Sequence, residues 1–185
     1  MKKVQNLRPF SDVIPPVQKV LVIGSSGAGK SVFSRRLSAI TGIPVIHLDK
    51  HHWRPGWVEP PKDVWRKQVE EILRGDRWII DGNFGGTMEL RLAHCDTAIF
   101  LDISRHICAW RVLKRVLQYR EGSRPDMADG CSEKIDLPFL KWVWDFPKRS
   151  RPVVLERLKR VDTRVEVIAL KNTREVENYL ASLRH

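Results

Sequence analysis

The chain has 185 residues, of which 42% are hydrophobic and 30% charged, a balance typical of one soluble globular domain. Its formal net charge of +11 favours polyanionic partners, and charge alone does not distinguish a nucleotide from a nucleic acid. No apolar run approaches the roughly 18 residues of a membrane-spanning helix, which argues against a membrane protein of that class.

Residues 1–16 are predicted to form an N-terminal arm that precedes a single domain, 17–185. The arm has no apolar stretch of the kind that marks a secretory signal. Cys95, Cys108 and Cys131 are irregularly spaced and fit neither a disulfide framework nor a zinc site. We therefore expect a cytoplasmic protein.

The first motif follows the arm directly. Residues 17–23 form a short apolar run that predicts a strand, and 32–40 have apolar residues at helical spacing. Between them lies the pattern G-x-x-x-x-G-K-S, formed by Gly24, Ser25, Ser26, Gly27, Ala28, Gly29, Lys30 and Ser31. In a strand–loop–helix context this is the P-loop, whose backbone N–H groups surround phosphate. It predicts ATP binding, with Lys30 as a catalytic residue on the donor phosphates and Ser31 on Mg²⁺.

The rest of the chain alternates apolar runs with amphipathic segments. This alternation is typical of an α/β fold in which helices cover both faces of a parallel sheet in three layers, α/β/α. The last long helix should be interrupted at Pro147, with Pro152 as a second candidate. The predicted strands are 17–23, 44–49, 77–82, 96–102 and 163–170, and the predicted helices after the P-loop are 61–73, 87–93, 104–119, 137–161 and 173–183.

Three predicted strands end in an acid, at Asp49, Asp81 and Asp102. Because ligands bind at the carboxyl ends of parallel strands, these acids should lie near the P-loop. Asp81 is predicted to hold Mg²⁺ together with Ser31, since Gly82 permits a close backbone approach, and Asp102 is the alternative. Asp49 is predicted to orient or deprotonate an acceptor, and its alternative role is a structural pair with an arginine.

Four arginines are predicted catalytic residues. Arg111 and Arg115 lie four residues apart and should share one helix face. Arg120 and Arg124 follow at the helix end and in a segment, 121–136, whose Gly, Ser and Pro content predicts a mobile flap. Planar guanidinium groups on a closing flap would neutralise a transferring phosphoryl group, and a solvated basic face is the alternative.

The acceptor side is predicted from fewer signals. Arg54 and Arg91 are candidates for an acceptor phosphate. Trp57, together with Trp53, is a candidate to stack on an acceptor base or to pack in the core. Three further aromatic residues are expected in the core, at Trp142, Trp144 and Phe146.

Several segments carry a resemblance to a known family: the P-loop, 79–83 (Ile-Ile-Asp-Gly-Asn), 87–92, 124–131 and 139–147. They resemble the bacterial DNA topology modulation proteins related to FlaR, which are similar to adenylate kinases among the P-loop nucleoside and nucleotide kinases. The resemblance covers residues 18–183. It implies a five-stranded parallel sheet in the order 2-3-1-4-5, an acceptor-binding segment at 50–75 and a helical lid at 120–136.

One departure bears on the acceptor. Adenylate kinases carry Asp-Gly-aromatic-Pro-Arg after the third strand, where this chain has Asp81 to Gly85 without the arginine. Residues and resemblance together predict an ATP-dependent kinase that transfers the γ-phosphoryl group to a small acceptor such as a nucleoside monophosphate. One alternative is a small-metabolite kinase, as in shikimate-kinase-like proteins, with Asp49 as the base. The other is a nucleotide-gated DNA-binding protein, for which the charge and the family name are the support.

Overall fold

A five-stranded parallel sheet forms the centre of the fold in this computed structural model, which describes residues 17–119, 126–131 and 136–184. The order β2-β3-β1-β4-β5 confirms the predicted sheet and the P-loop kinase-like α/β/α fold. The predicted N-terminal arm, Arg120 and Arg124 lie outside the described residues. The strands are β1 (Lys19–Gly24), β2 (Val45–His47), β3 (Trp78–Asp81), β4 (Thr97–Leu101) and β5 (Glu166–Leu170).

Helices cover both faces of this sheet. None of those described is long and apolar enough to cross a membrane. The helices are α1 (Lys30–Thr41), α2 (Leu48–His52), α3 (Lys62–Leu73), α4 (Met88–Leu92), α5 (Arg105–Gln118), α6 (Leu137–Lys159) and α7 (Thr173–Ser182), and a 3₁₀ turn (Gly85–Thr87) precedes α4.

Alternate residues of the central strands pack in two apolar clusters, one on each face of the sheet. Val20 and Val22 of β1 pack on one face, against α1, α5 and α7. Leu21 and Ile23 pack on the other face, against α3 and α4. Helix α6 contributes to both clusters, through Val143 on the first face and through later residues on the second. The three central strands, β1, β3 and β4, are therefore buried almost throughout, whereas the edge strands β2 and β5 are partly exposed.

The second strand is shorter than predicted, which changes the position of Asp49. Strand β2 ends at His47, and the chain enters the short helix α2 at Leu48. Asp49 therefore lies in the first turn of a helix and not at the end of a strand. Its carboxylate still lies at the carboxyl edge of the sheet, where a helix N-terminus also favours negative charge.

The predicted interruptions of helix α6 are absent from the structure. The helix runs from Leu137 to Lys159 without a break at Pro147 or Pro152. Burial of its apolar residues in both clusters outweighs the hydrogen bonds that the two prolines remove.

Three aromatic residues of α6 are predicted to lie in the core, but only one of them does. Phe146 is buried, but Trp142 and Trp144 are 39% and 41% exposed. Two positions along a helix turn a side chain by about 200°, so Trp144 points away from Phe146. Trp144 packs instead under the guanidinium of Arg105, 4.5 Å from the ring centroid.

Candidate active site

The P-loop connects β1 to α1 and curves tightly against α5. Gly27 has a φ of +78°, a conformation that residues with a Cβ rarely adopt. A Cβ on Gly27 would lie 2.2 Å from the carbonyl oxygen of Cys108 on α5. Only glycine therefore permits this close approach of loop and helix.

Lys30 is the first residue of α1, directly after the loop. Its Nζ donates to the carbonyl oxygens of Gly24, at 3.0 Å, and Ser25, at 3.1 Å. Burial lowers the pKa of the ammonium group, and the negative charges of Asp49 and Asp81 partly oppose this shift. The ammonium thus lies against the loop and within the field of both predicted acids.

Asp81 is held by a residue that the sequence did not indicate. Both of its carboxylate oxygens lie within 3.0 Å of the Nδ1 atom of His47. His47 is the direct neighbour of Asp81 in the parallel register of β2 and β3. Since a carboxylate accepts, the Nδ1 atom carries the proton, and the imidazole fixes the orientation of the carboxylate.

Asp102, the alternative acid, has a different partner. Arg151 of α6 donates to its two carboxylate oxygens, at 2.7 Å each. This bidentate pair ties α6 to the end of β4. Asp81, in contrast, contributes to the electrostatic environment of Lys30. The arrangement therefore favours Asp81 as the acid beside the phosphate-binding loop.

Arg111 and Arg115 lie on one face of α5, as predicted, and both contact the P-loop. The Nη1 atom of Arg111 donates to the carbonyl oxygen of Ala28 at 3.3 Å. The Nη1 atom of Arg115 donates to the hydroxyl of Ser26 at 3.4 Å. Two guanidinium groups of α5 therefore contact the P-loop.

A cavity of about 670 Å³ opens beside the P-loop at the carboxyl edge of the sheet. Five of the predicted site residues lie in its wall: Ser26, Lys30, Asp49, Trp57 and Arg115. The loop after β3 also contributes to the wall. The other described lining residues are Trp53, Glu59, Gly82, Asn83, Phe84, Met127, Asp136, Phe139 and Trp142.

The described part of the predicted lid packs against the loop after α2. Met127, Ala128 and Cys131 form a small apolar cluster with Trp53 and Trp57. The N–H of Gly56 donates to the carbonyl oxygen of Gly130 at 3.0 Å. Segments 50–75 and 120–136 therefore meet over one end of the cavity, within residues 126–131 of the second segment.

Arg91, which is predicted to bind an acceptor phosphate, lies buried away from the cavity. It has no exposed surface and donates to the carbonyl oxygens of Gly82, Asn83, Phe84 and Thr87 at 2.6–3.3 Å. Burial lowers its pKa to about 9, which leaves the guanidinium charged at neutral pH. Arg91 thus organises the loop after β3 and does not reach the cavity.

Arg54, the other candidate, lies on the exposed side of the loop after α2. Its side chain is exposed, and it is not among the described residues that line the cavity. Its carbonyl oxygen accepts from the thiol of Cys131 and its N–H pairs with Val58. The structure therefore brings neither predicted acceptor arginine to the cavity wall.

A second cavity, of about 770 Å³, opens at the amino ends of the strands. The arginines in its wall bind acids nearby: Arg157 pairs with Glu89, and Arg164 pairs with Asp162. Ligands of open α/β sheets bind at the opposite edge, outside the carboxyl ends of the strands. We therefore place the candidate site at the P-loop cavity.

Mg²⁺ requires oxygen ligands, and two predicted ligands lie at the P-loop edge. Ser31 follows Lys30 in the first turn of α1, and Asp81 retains lone pairs beyond those that His47 uses. No group of three or more His, Cys, Asp or Glu side chains suited to a metal occurs among residues 17–119, 126–131 and 136–184. A hydroxyl with one or two carboxylates suits an ion that keeps several waters and binds substrate phosphates.

Comparisons with solved structures support the fold. Shikimate kinase from Bacteroides thetaiotaomicron is 15% identical, with a TM-score of 0.53 over 89% of this chain and 95% of that chain. Shikimate kinase from Acinetobacter baumannii in complex with shikimate is 13% identical, with a TM-score of 0.56 over 90% of each chain. Deoxyadenosine kinase from M. mycoides with bound dATP is 13% identical, with a TM-score of 0.53 over 90% of this chain and 99% of that chain.

The structural similarity shows a shared P-loop kinase fold. At such low sequence identities it does not show a shared substrate or activity. No family model matches the sequence. No curated protein matches it either. The activity must therefore be argued from the site itself.

Proposed function

We propose that this protein is an ATP-dependent phosphotransferase that acts on a small acceptor. The observation that carries the proposal is the position of Lys30, which lies against the P-loop carbonyls, in the wall of the cavity and in the field of Asp49 and Asp81. One cation thus lies where a donor phosphate and an acceptor would meet. The bacterial DNA topology modulation proteins remain the family that we propose for the chain.

The residues divide into a donor half and an acceptor half. On the donor side, the P-loop amides and Lys30 would bind the ATP phosphates, and Arg111 and Arg115 would neutralise charge on the transferring group. Arg120 and Arg124 would add to this from the lid. On the acceptor side, Asp49 and Trp57 would orient the acceptor.

Ser31 and Asp81 would hold Mg²⁺, with His47 fixing the Asp81 carboxylate. The ion would offset the negative charge of the donor phosphates. The chain's own contribution is to position phosphates and acceptor in the P-loop cavity.

ATP consumption with a panel of acceptors tests the proposal. We would incubate the full chain with Mg²⁺, ATP and nucleosides, nucleoside monophosphates or small hydroxy acids, and measure ADP release. At least one acceptor should raise ADP release well above the rate of ATP hydrolysis alone. If protein that binds ATP is inactive with every acceptor, the phosphotransferase proposal is wrong.

Gly27→Ala should weaken ATP binding by at least about tenfold, because the added methyl must push the P-loop away from Cys108. Gly42→Ala is the matched control, since Gly42 also has a positive φ, of +69°, with no atom within 4 Å of the added Cβ. The control should lose about 1 kcal/mol of stability and keep its ATP affinity. Titration calorimetry and urea unfolding measure the two effects, and equal ATP affinities in both variants would contradict the loop geometry.

Asp49→Asn separates two kinds of acceptor. A hydroxyl must lose its proton, so loss of a base should lower kcat by a factor of about 10²–10⁴, whereas a phosphate acceptor needs no base and should show a much smaller loss. Because Asp49 lines the cavity beside Lys30, we expect the larger effect. Asp76→Asn, at an exposed turn outside the site, controls for the change in net charge.

A further inference from the structure

We infer that the acceptor is an unphosphorylated nucleoside, whose base stacks on the aromatic wall of the cavity and whose hydroxyl meets Asp49. This inference rests on the proposed phosphotransferase function and concerns the same cavity. It differs from the nucleoside monophosphate that the resemblance implies. Three features of the described residues carry it: the charge of the wall, the positions of the arginines and the aromatic rings.

The described part of the cavity wall holds more carboxylates than cations. The described lining contains three carboxylates, Asp49, Glu59 and Asp136, and two cations, Lys30 and Arg115. Both cations contact the P-loop itself. Bound ATP would therefore engage both cations and leave the carboxylates facing the acceptor. A phosphate dianion beside these carboxylates would meet charges of its own sign.

The two arginines predicted to bind an acceptor phosphate, Arg54 and Arg91, lie outside the described cavity wall. The loop after β3 presents Asn83 and Phe84 to the cavity, and Gly85 stands at the position where adenylate kinases have an arginine. Arg91 is buried behind that loop with its donors on four carbonyl oxygens. Arg54 is exposed outside the described lining. Within residues 17–119, 126–131 and 136–184, the acceptor end thus offers no arginine to a phosphate.

Aromatic rings from separate parts of the chain also line the cavity. Trp53 and Trp57 lie edge to face, with ring centroids 5.4 Å apart. Phe139 and Trp142 of α6 lie nearly parallel, with centroids 5.9 Å apart. All of these rings border the cavity, as does Phe84. Partly exposed aromatic faces bind flat bases by stacking, and they do not require a charged ligand.

The transfer step balances with the groups present. The nucleoside hydroxyl oxygen forms a bond to the γ-phosphorus of ATP, and the bond from that phosphorus to the β–γ bridging oxygen breaks. The hydroxyl proton passes to the Asp49 carboxylate, which later releases it to water. The products are ADP and a nucleoside monophosphate, whose new negative charge the acidic wall disfavours. The same wall therefore selects the substrate and promotes release of the product.

Matched ligands test the inference in the full chain. Adenosine, guanosine, cytidine and thymidine are compared with their 5′-monophosphates, with Mg²⁺ and a saturating non-hydrolysable ATP analogue so that the P-loop is occupied. Tryptophan fluorescence reports binding, because Trp53, Trp57 and Trp142 lie in the wall. At least one nucleoside should bind ten times more tightly than its own monophosphate. The inference is overturned if no nucleoside binds or if the monophosphate binds equally well.

A charge variant tests the acidic wall separately. Glu59→Gln should reduce the preference for nucleoside over monophosphate by roughly threefold at low salt. Glu70→Gln is the matched control: Glu70 lies on α3, pairs with Arg66 and is not among the described lining residues. The control should keep the original preference. An equal preference in both variants would overturn the role of wall charge.

ADP release then distinguishes this inference from the proposed function. If nucleosides bind and no acceptor is phosphorylated, the phosphotransferase proposal fails while the nucleoside site stands. If monophosphates are phosphorylated and nucleosides are not, the nucleoside inference fails while the phosphotransferase proposal stands.

Discussion

Lys30→Met is expected to lower the rate of phosphoryl transfer by about 10³-fold, because it removes the one ammonium group that the described structure places against the P-loop. Methionine matches the length of the lysine stem and suits this half-buried position. The fold should therefore survive, and the unfolding midpoint in urea should change little. Rates of ADP release at saturating ATP measure the effect on the chemical step.

Lys30→Arg is the informative companion to this variant. It keeps the positive charge but replaces a compact ammonium with a planar guanidinium, which cannot place one donor between the carbonyl oxygens of Gly24 and Ser25. We expect Lys30→Arg to remain at least about tenfold below the parent protein. Near-parental rates in Lys30→Met would show that phosphoryl transfer does not depend on this ammonium group.

The P-loop and the sheet were predictable because their signals are local. An apolar run, a glycine pattern and an amphipathic run lie next to each other in the chain, and the structure places them in β1, the loop and α1. The acids at strand ends were also visible, although Asp49 lies in α2 because β2 ends two residues earlier than predicted. Local patterns thus located the candidate site at one edge of the sheet.

The partners of those acids were not predictable, because they depend on strand order and register. His47 contacts Asp81 only because β2 and β3 are neighbours whose parallel register places the two residues side by side. Asp102 and Asp81 end similar apolar strands, yet Arg151 pairs with Asp102 from a helix 49 residues away. No pattern along the chain carries that information.

Arg91 shows a different limit of sequence reasoning. A cation near a phosphate-binding motif suggests a ligand for phosphate, but the loop after β3 has its own need for donors. Four carbonyl oxygens turn inward there, and the guanidinium of Arg91 satisfies all of them. Burial decides whether an arginine binds backbone carbonyls or a ligand. The spacing of apolar residues does not reveal burial in a helix as short as α4.

Arg91→Met is expected to lower the free energy of unfolding by about 3–5 kcal/mol. The methionine fills much of the same volume but removes the guanidinium donors from four carbonyl oxygens in a buried loop, of which only that of Phe84 is shown to keep another donor, on Thr87. Urea unfolding measures the loss. Arg160→Met is the matched control, since Arg160 is exposed and its guanidinium pairs with Glu156 one turn earlier in the helix, and it should change stability by less than about 1 kcal/mol.

The same variant decides between the structural and the acceptor-binding roles of Arg91. If Arg91 organises the loop, Arg91→Met should lower the free energy of unfolding. Its affinities for nucleoside and monophosphate should then fall together, because Gly82 to Phe84 line the cavity. If Arg91 instead binds an acceptor phosphate, stability should be nearly unchanged and only monophosphate affinity should fall. The buried guanidinium and its hydrogen bonds predict the first result. Binding measured well below the unfolding temperature of the variant separates the two outcomes, because the folded population then stays constant.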